Sequence, residues 1–114
     1  MSEVIVEQLE RQLVDTKAQV EMGNAVARLL KNPDYRKVIE DGFMLHECAR
    51  YVQQSANPAI DERGRADALA IAQASGHLKR YLSVTLQIAN QCEASIPDIE
   101  SAIEEARIEA DAEE

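Results

Sequence analysis

Between Asp61 and Ile96 the chain runs DERGRADALAIAQASGHLKRYLSVTLQIANQCEASI, with no proline inside the stretch. Ile71, Ser75, Leu78, Leu82, Thr85, Ala89, Cys92 and Ile96 recur there at alternating steps of four and three. That is the seam one helix presents to another. Ala74, Tyr81 and Ile88 widen it into a broader apolar stripe. A helix of this length cannot bury such a stripe alone, so the chain must supply it with a partner.

The first partner is residues 3–31. Val6, Leu9, Leu13, Thr16, Val20, Gly23, Ala27 and Leu30 repeat the same alternation over more than three heptads. Met22, Val26 and Leu29 broaden the face towards its carboxyl end. Ser2 is placed to cap the start, with Glu3 near the positive end of the helix dipole. Gly23 and Ala27 lie on the seam, where small side chains permit close approach of another helix. A glycine costs about 1 kcal/mol relative to alanine inside a helix, so a packing reason is expected at Gly23.

Asn32-Pro33-Asp34 closes that helix and opens the next, with Asn32 as the cap and Pro33 at the first helical position. Two short helices are expected over residues 33–41 and 43–55, separated by Gly42 as a carboxyl-side stop. Phe43, Met44, Cys48, Tyr51 and Val52 mark the inner face of the second, where the tightest packing is expected. Asn57-Pro58 ends it, and Pro58 or Asp61 starts the long helix. Pro97 is expected to open a last helix, with Ile99, Ala102, Ile103 and Ala106 as a strip that could extend the packing. After Arg107 the acidic end is expected to fray.

The fold expected is all-α: a long antiparallel hairpin of residues 3–31 against 61–95, coiled-coil-like, with two short connecting helices. Residues 1–97 form the helical domain and 98–114 an acidic helix or tail. Composition agrees, since Gly and Pro total only seven residues and aromatic content is 4 %. An all-β fold needs more turns than that.

Charge is unevenly spread. The formal net charge is −9, of which residues 98–114 carry −7. The body is nearly balanced, so no basic nucleic-acid surface is expected, and direct nucleic-acid binding is disfavoured. The amino terminus has acids before its apolar residues, and no run approaches the ~20 apolar residues of a membrane helix. A soluble intracellular protein without membrane attachment is the expectation, with Cys48 and Cys92 as free thiols rather than a disulfide.

Chemistry is scarce. His46-Glu47-Cys48 resembles the start of a zinc-protease helix, yet the position needing a second histidine holds Arg50. A zinc set of His46, Cys48, His77 and Cys92 lacks the spacing of structural zinc sites. A Cys–His nucleophile pair from the same residues lacks any sign of an activated thiol. Gly64 and Gly76 are isolated, so there is no phosphate loop; close helix approach accounts for Gly76. No cofactor motif and no enzyme are expected. The candidate functional residues are the packing seam, Leu9, Leu13, Val20, Ala27, Leu30, Ile71, Leu78, Leu82 and Ala89. To these is added an acidic face, Glu100, Glu104, Glu105, Glu109 and Asp111, that a basic partner could recognise.

The central stretch LLKNPDYRKVIEDGFMLHECARYVQQSANP, followed by SGHLKRYLSVTLQIANQ, resembles small all-helical proteins of tailed bacteriophages. Their pattern is a long helix, then KNPDYRKVIEDGF, then E-x-x-R (here Glu47 and Arg50), then NP. The likeness covers about residues 9–92. Such proteins are often encoded among virion-assembly genes. The resemblance implies a phage origin, a non-enzymatic role, and a location in the host cytoplasm or the virion. It transfers no catalytic residue. Two readings follow: a self-associating interaction protein serving virion assembly or structure, or an acidic inhibitor or nucleic-acid mimic that binds a host or defence enzyme.

Overall fold

In the computed structural model, which describes residues 2–113, every regular element is helical and no strand occurs among those residues. Helix α1 spans Ser2–Lys31 and α2 spans Pro33–Tyr35. A π-helical stretch, Arg36–Glu47, leads into α3, Cys48–Ser55, and α4 runs Glu62–Glu113. The all-α reading holds, with α1 packed on the long helix. The chain divides into two compact units: residues 2–26 with 85–113, and residues 27–84.

The first unit is an antiparallel pair of helical segments. Its contact of closest approach is Gly23 of α1 on Ala89 of α4: a Cβ built on Gly23 would collide with the Ala89 Cβ. Carried along in steps of seven, this register sets Thr16 opposite Ile96, Leu9 opposite Ile103 and Ser2 opposite Ala110. Two polar contacts agree with it. Arg107 Nη2 donates to Glu10 Oε1 at 2.7 Å, and the Ser2 hydroxyl donates to Glu113 Oε1 at 2.7 Å. Val26, Ala89, Ile99, Ile103 and Ala106 are buried along this unit. The pairing therefore reaches beyond residue 95, along the strip of Ile99, Ile103 and Ala106 that the sequence marks as able to extend it.

Three expectations change here. Pro97 does not open a new helix; it lies inside α4. The physical reason is phase. Ile96 is followed by Ile99, Ile103, Ala106 and Ala110 at the same three-four alternation, so the seam crosses the proline unbroken and holds the helix together around it. Pro97 itself is exposed, off the buried seam. The end of α4 is helical to Glu113 rather than frayed after Arg107, because Ile103 and Ala106 anchor it. Ser2 does not cap α1: it is counted in the helix and its hydroxyl reaches Glu113.

The second unit holds the remainder. Asn32 Oδ1 accepts from the amides of Asp34 at 2.8 Å and Tyr35 at 3.2 Å, the cap that the sequence implies. Gly42 is not a stop, since the chain from Pro33 to Ser55 is continuously helical and Gly42 lies within the π-helical stretch. A Cβ there would sit 3.3 Å from the Lys37 carbonyl oxygen, five residues back. The Cys48 amide likewise donates to the Phe43 carbonyl, also five back. Tyr35, Ile39, Met44 and Cys48 step by four and five, and all are at least half-buried. Only Cys48 of this segment is fully buried, and Val52 is exposed, so the packing here is looser than expected. Cys48, Ala68 and Leu82 are the buried apolar points of the unit's core, with Cys48 Sγ 4.0 Å from the Ile71 carbonyl. Asp61 starts α4, its Oδ1 accepting from the Gly64 amide at 2.8 Å. A Cβ added at Gly76, by contrast, would meet nothing within 4 Å, so close approach does not explain that glycine.

Four outcomes follow for equilibrium denaturation. Gly23→Ala should lower stability by about 1–2 kcal/mol, because overpacking outweighs the roughly 1 kcal/mol propensity gain. Ala89→Gly on that background should recover part of the loss, whereas Gly76→Ala should stabilise by about 0.5–1 kcal/mol. Pro97→Ala should stabilise by about 2 kcal/mol, the interior-proline cost less the greater freedom of the unfolded chain.

Candidate interaction surface

Writing the seam as heptad positions a and d gives each helix two flanks, e and g. In an antiparallel pair the e flanks lie together on one face and the g flanks on the other. The Glu10–Arg107 ion pair joins two e positions and fixes which face is which. The e face of the first unit carries Glu3, Glu10, Lys17, Asn24, Leu86, Glu93, Glu100 and Arg107. The g face carries Ile5, Gln12, Gln19, Val26, Ile88, Ser95, Ala102 and Glu109. One face is charged; the other is uncharged except at Glu109.

Burial follows the seam but not the broadened stripe. Leu9, Leu13 and Val20 are half-buried and Ala89 is buried in the first unit; Ala27, Leu30 and Leu78 are half-buried and Leu82 is buried in the second. Ile71 is 40 % exposed, and Ala68 and Ala72 take the inward places beside it. Tyr81 is also exposed, and Ile88 remains 41 % exposed although its neighbour in the register, Val26, is only 5 % exposed. Ile5 and Met22 stand 44 % and 49 % exposed on the same unit. The sequence shows the extra stripe; only the structure shows that the chain's own helices leave much of it in water.

The acidic residues Glu100, Glu104, Glu105, Glu109 and Asp111 are all exposed on the docked end of α4. They fall at e, b, c, g and b, so they surround the outer half of the helix rather than forming one row. Their helix is held by Ile99, Ile103 and Ala106, which are buried.

The other sequence candidates disperse. His46 and His77 are exposed, Cys48 is buried and Cys92 half-buried, and both cysteines are free. Among the described residues no group of three or more His, Cys, Asp or Glu could hold a metal ion. An open hollow beside Ala72, Gln73, Ser75, Gly76 and His77 lies along nearly consecutive residues of a single helix. No helix among the described residues is long and apolar enough to cross a membrane.

The E-x-x-R element is a surface ion pair. Arg50 Nη2 donates to Glu47 Oε2 at 2.8 Å, and its guanidinium lies 4.7 Å from the Tyr51 ring centroid. The hydrogen bond and charge of Arg50 hold the Glu47 carboxyl below its ordinary range. Its contribution to stability is present above the unfolded-state value and fades as pH falls through the lowered one. Such an exposed pair steadies one helical turn.

Tyr35 departs from the satisfied pattern. The ring is half-buried, but its hydroxyl is covered and has no hydrogen-bond partner among the described residues. Burial, and then the charge of Glu40, raises its phenol above the ordinary value of 10.0. Stability from the neutral phenol is thus present below the unfolded-state value and is lost as pH rises through the raised one. Removing an unsatisfied hydroxyl is favourable, so Tyr35→Phe should stabilise by about 1 kcal/mol in urea denaturation. It should also remove the alkaline phase of the stability profile.

No protein-family model, no curated protein and no solved structure matches this chain.

Proposed function

We propose that the chain is a non-enzymatic helical interaction protein that self-associates, acting as a virion-assembly or structural accessory of phage type, in the host cytoplasm or the virion. One observation carries the self-association. The protein exposes 8424 Å² at 12.7 kDa, whereas folded monomers of that mass expose about 6,200 Å². Among the described residues no large side chain is less than 2 % exposed, and apolar side chains such as Ile5, Met22, Ile88 and Ile108 stand in water. A standard stable interface needs about 800 Å² of that excess from each partner. The phage role rests on the sequence resemblance alone, and the non-enzymatic character on the absence of a catalytic constellation in the sequence.

A second reading, the acidic inhibitor or nucleic-acid mimic of a host or defence enzyme, is favoured by the docking of the acidic end of α4. Anchored carboxylates lose less freedom on binding than a loose tail would. Their spread over four heptad positions weakens it, because a phosphate-like row needs one face.

Light scattering on a sizing column, over a wide concentration range, separates the two. A constant dimer or larger assembly supports the first reading; a monomer throughout removes it. Truncating residues 98–114 is the wrong probe of the second reading, since it would strip Ile99, Ile103 and Ala106 from the seam. Neutralising Glu100, Glu104, Glu105 and Glu109 to Gln, with Asp111→Asn, keeps the seam. An inhibitor should displace duplex DNA from a basic DNA-binding protein, and this variant should not.

A further inference from the structure

We infer that a second copy of this chain docks on the g face of the first unit, stacking two helical pairs into a four-helix arrangement. The inference rests on the self-association proposed above and names its surface. Three observations select this face and this occupant.

Pattern is the first. A helix that pairs with only one neighbour needs an a/d stripe, whereas a helix in a four-helix bundle carries a, d and one flank. In α4 the g positions read Ile88, Ser95 and Ala102, and in α1 Ile5, Gln12, Gln19 and Val26. Only Val26 of these is fully buried by the chain itself.

Charge is the second. With a net charge of −9, two copies meet against a general repulsion. Joining e faces would bring Glu3, Glu10, Glu93 and Glu100 against their own copies, with Lys17 and Arg107 too few to offset them, and Arg107 already paired with Glu10. Joining g faces brings together isoleucine, valine, alanine, serine and glutamine, and the sole acid, Glu109, lies at one end. A two-fold interface meets its own surface, so it requires a patch that tolerates itself. The g face meets that requirement. Gln12 and Gln19, in its middle, can pair by amide hydrogen bonds and fix the stacking register.

Area is the third. About twenty-five helical residues span about 37 Å, and two helices side by side about 20 Å. The face therefore offers about 700 Å² per copy, close to one side of a standard stable interface. A dissimilar protein partner would need no such charge-free, self-tolerant composition.

The test compares Ile88→Glu and the pair Gln12→Glu with Gln19→Glu against Glu93→Lys with Glu100→Lys, by light scattering and circular dichroism on the full chain. The glutamines are exposed, so their substitution leaves each chain's helical content intact even if Ile88→Glu does not. The native chain is expected to be dimeric or to form a multiple of dimers. Both g-face variants should weaken association by about a hundredfold or more, since like charges brought together at an interface strongly oppose it. The e-face variant should retain the native mass. An oligomer that persists in folded g-face variants overturns this face while leaving self-association standing. A native chain that is monomeric at every concentration overturns both.

Discussion

The contact of Gly23 on Ala89 sets the geometry of the unit formed by residues 2–26 and 85–113. Because Gly23 puts no side chain between the two backbones there, the helices approach closely and a single register follows. That register brings Ser2 to Glu113, Glu10 to Arg107 and Val26 beside Ile88. The polar contacts report the register more than they enforce it. An exposed ion pair such as Glu10–Arg107 contributes at most about 1 kcal/mol, while each large aliphatic side chain fully removed from water contributes about 1.5–3 kcal/mol. Val26, Ile99 and Ile103 therefore carry the pairing.

The same seam accounts for the first of two places where local rules fail. Pro97 lacks an amide proton and crowds the carbonyl of Glu93, which favours a helix end. On one side of it Ala89, Cys92 and Ile96, and on the other Ile99, Ile103 and Ala106, face the same neighbour, and losing that alignment would expose several buried side chains. Packing wins over propensity. Between Arg36 and Glu47 the outcome is a different kind of compromise. The inward residues are spaced by four and five, so the helix widens to keep them facing one way, and Gly42 admits the Lys37 carbonyl without a Cβ in its path. Wide helical turns of this length are uncommon.

An antiparallel helical pair has two faces besides its seam, and their chemistry here is unequal. The e face is salted with carboxylates and carries the cross-helix ion pair. The g face is nearly free of charge yet partly apolar, with Ile5 and Ile88 each more than two-fifths exposed. That inequality ties the fold to the proposed self-association. A chain needing only solubility would gain from charge on both faces, and this one leaves one face blank.

Much of this was legible in the amino-acid order. Alternating steps of three and four from Val6 to Leu30, and from Ser75 to Ile96, state two paired helices. Asn32-Pro33 and Asp61 state where helices begin, because their side-chain oxygens and the proline ring act within one turn. The continuation through Ile99, Ile103 and Ala106 was also present as a repeat in phase, although Pro97 argues locally for a break. What only the tertiary structure decided was register and which apolar residues stay wet. A heptad seam is compatible with several sliding positions, and the position is chosen by where a glycine lets another helix come close. Exposure of Ile71, Tyr81 and Ile88 came with the tertiary structure, since the breadth of a stripe in the sequence does not say how many neighbours will cover it.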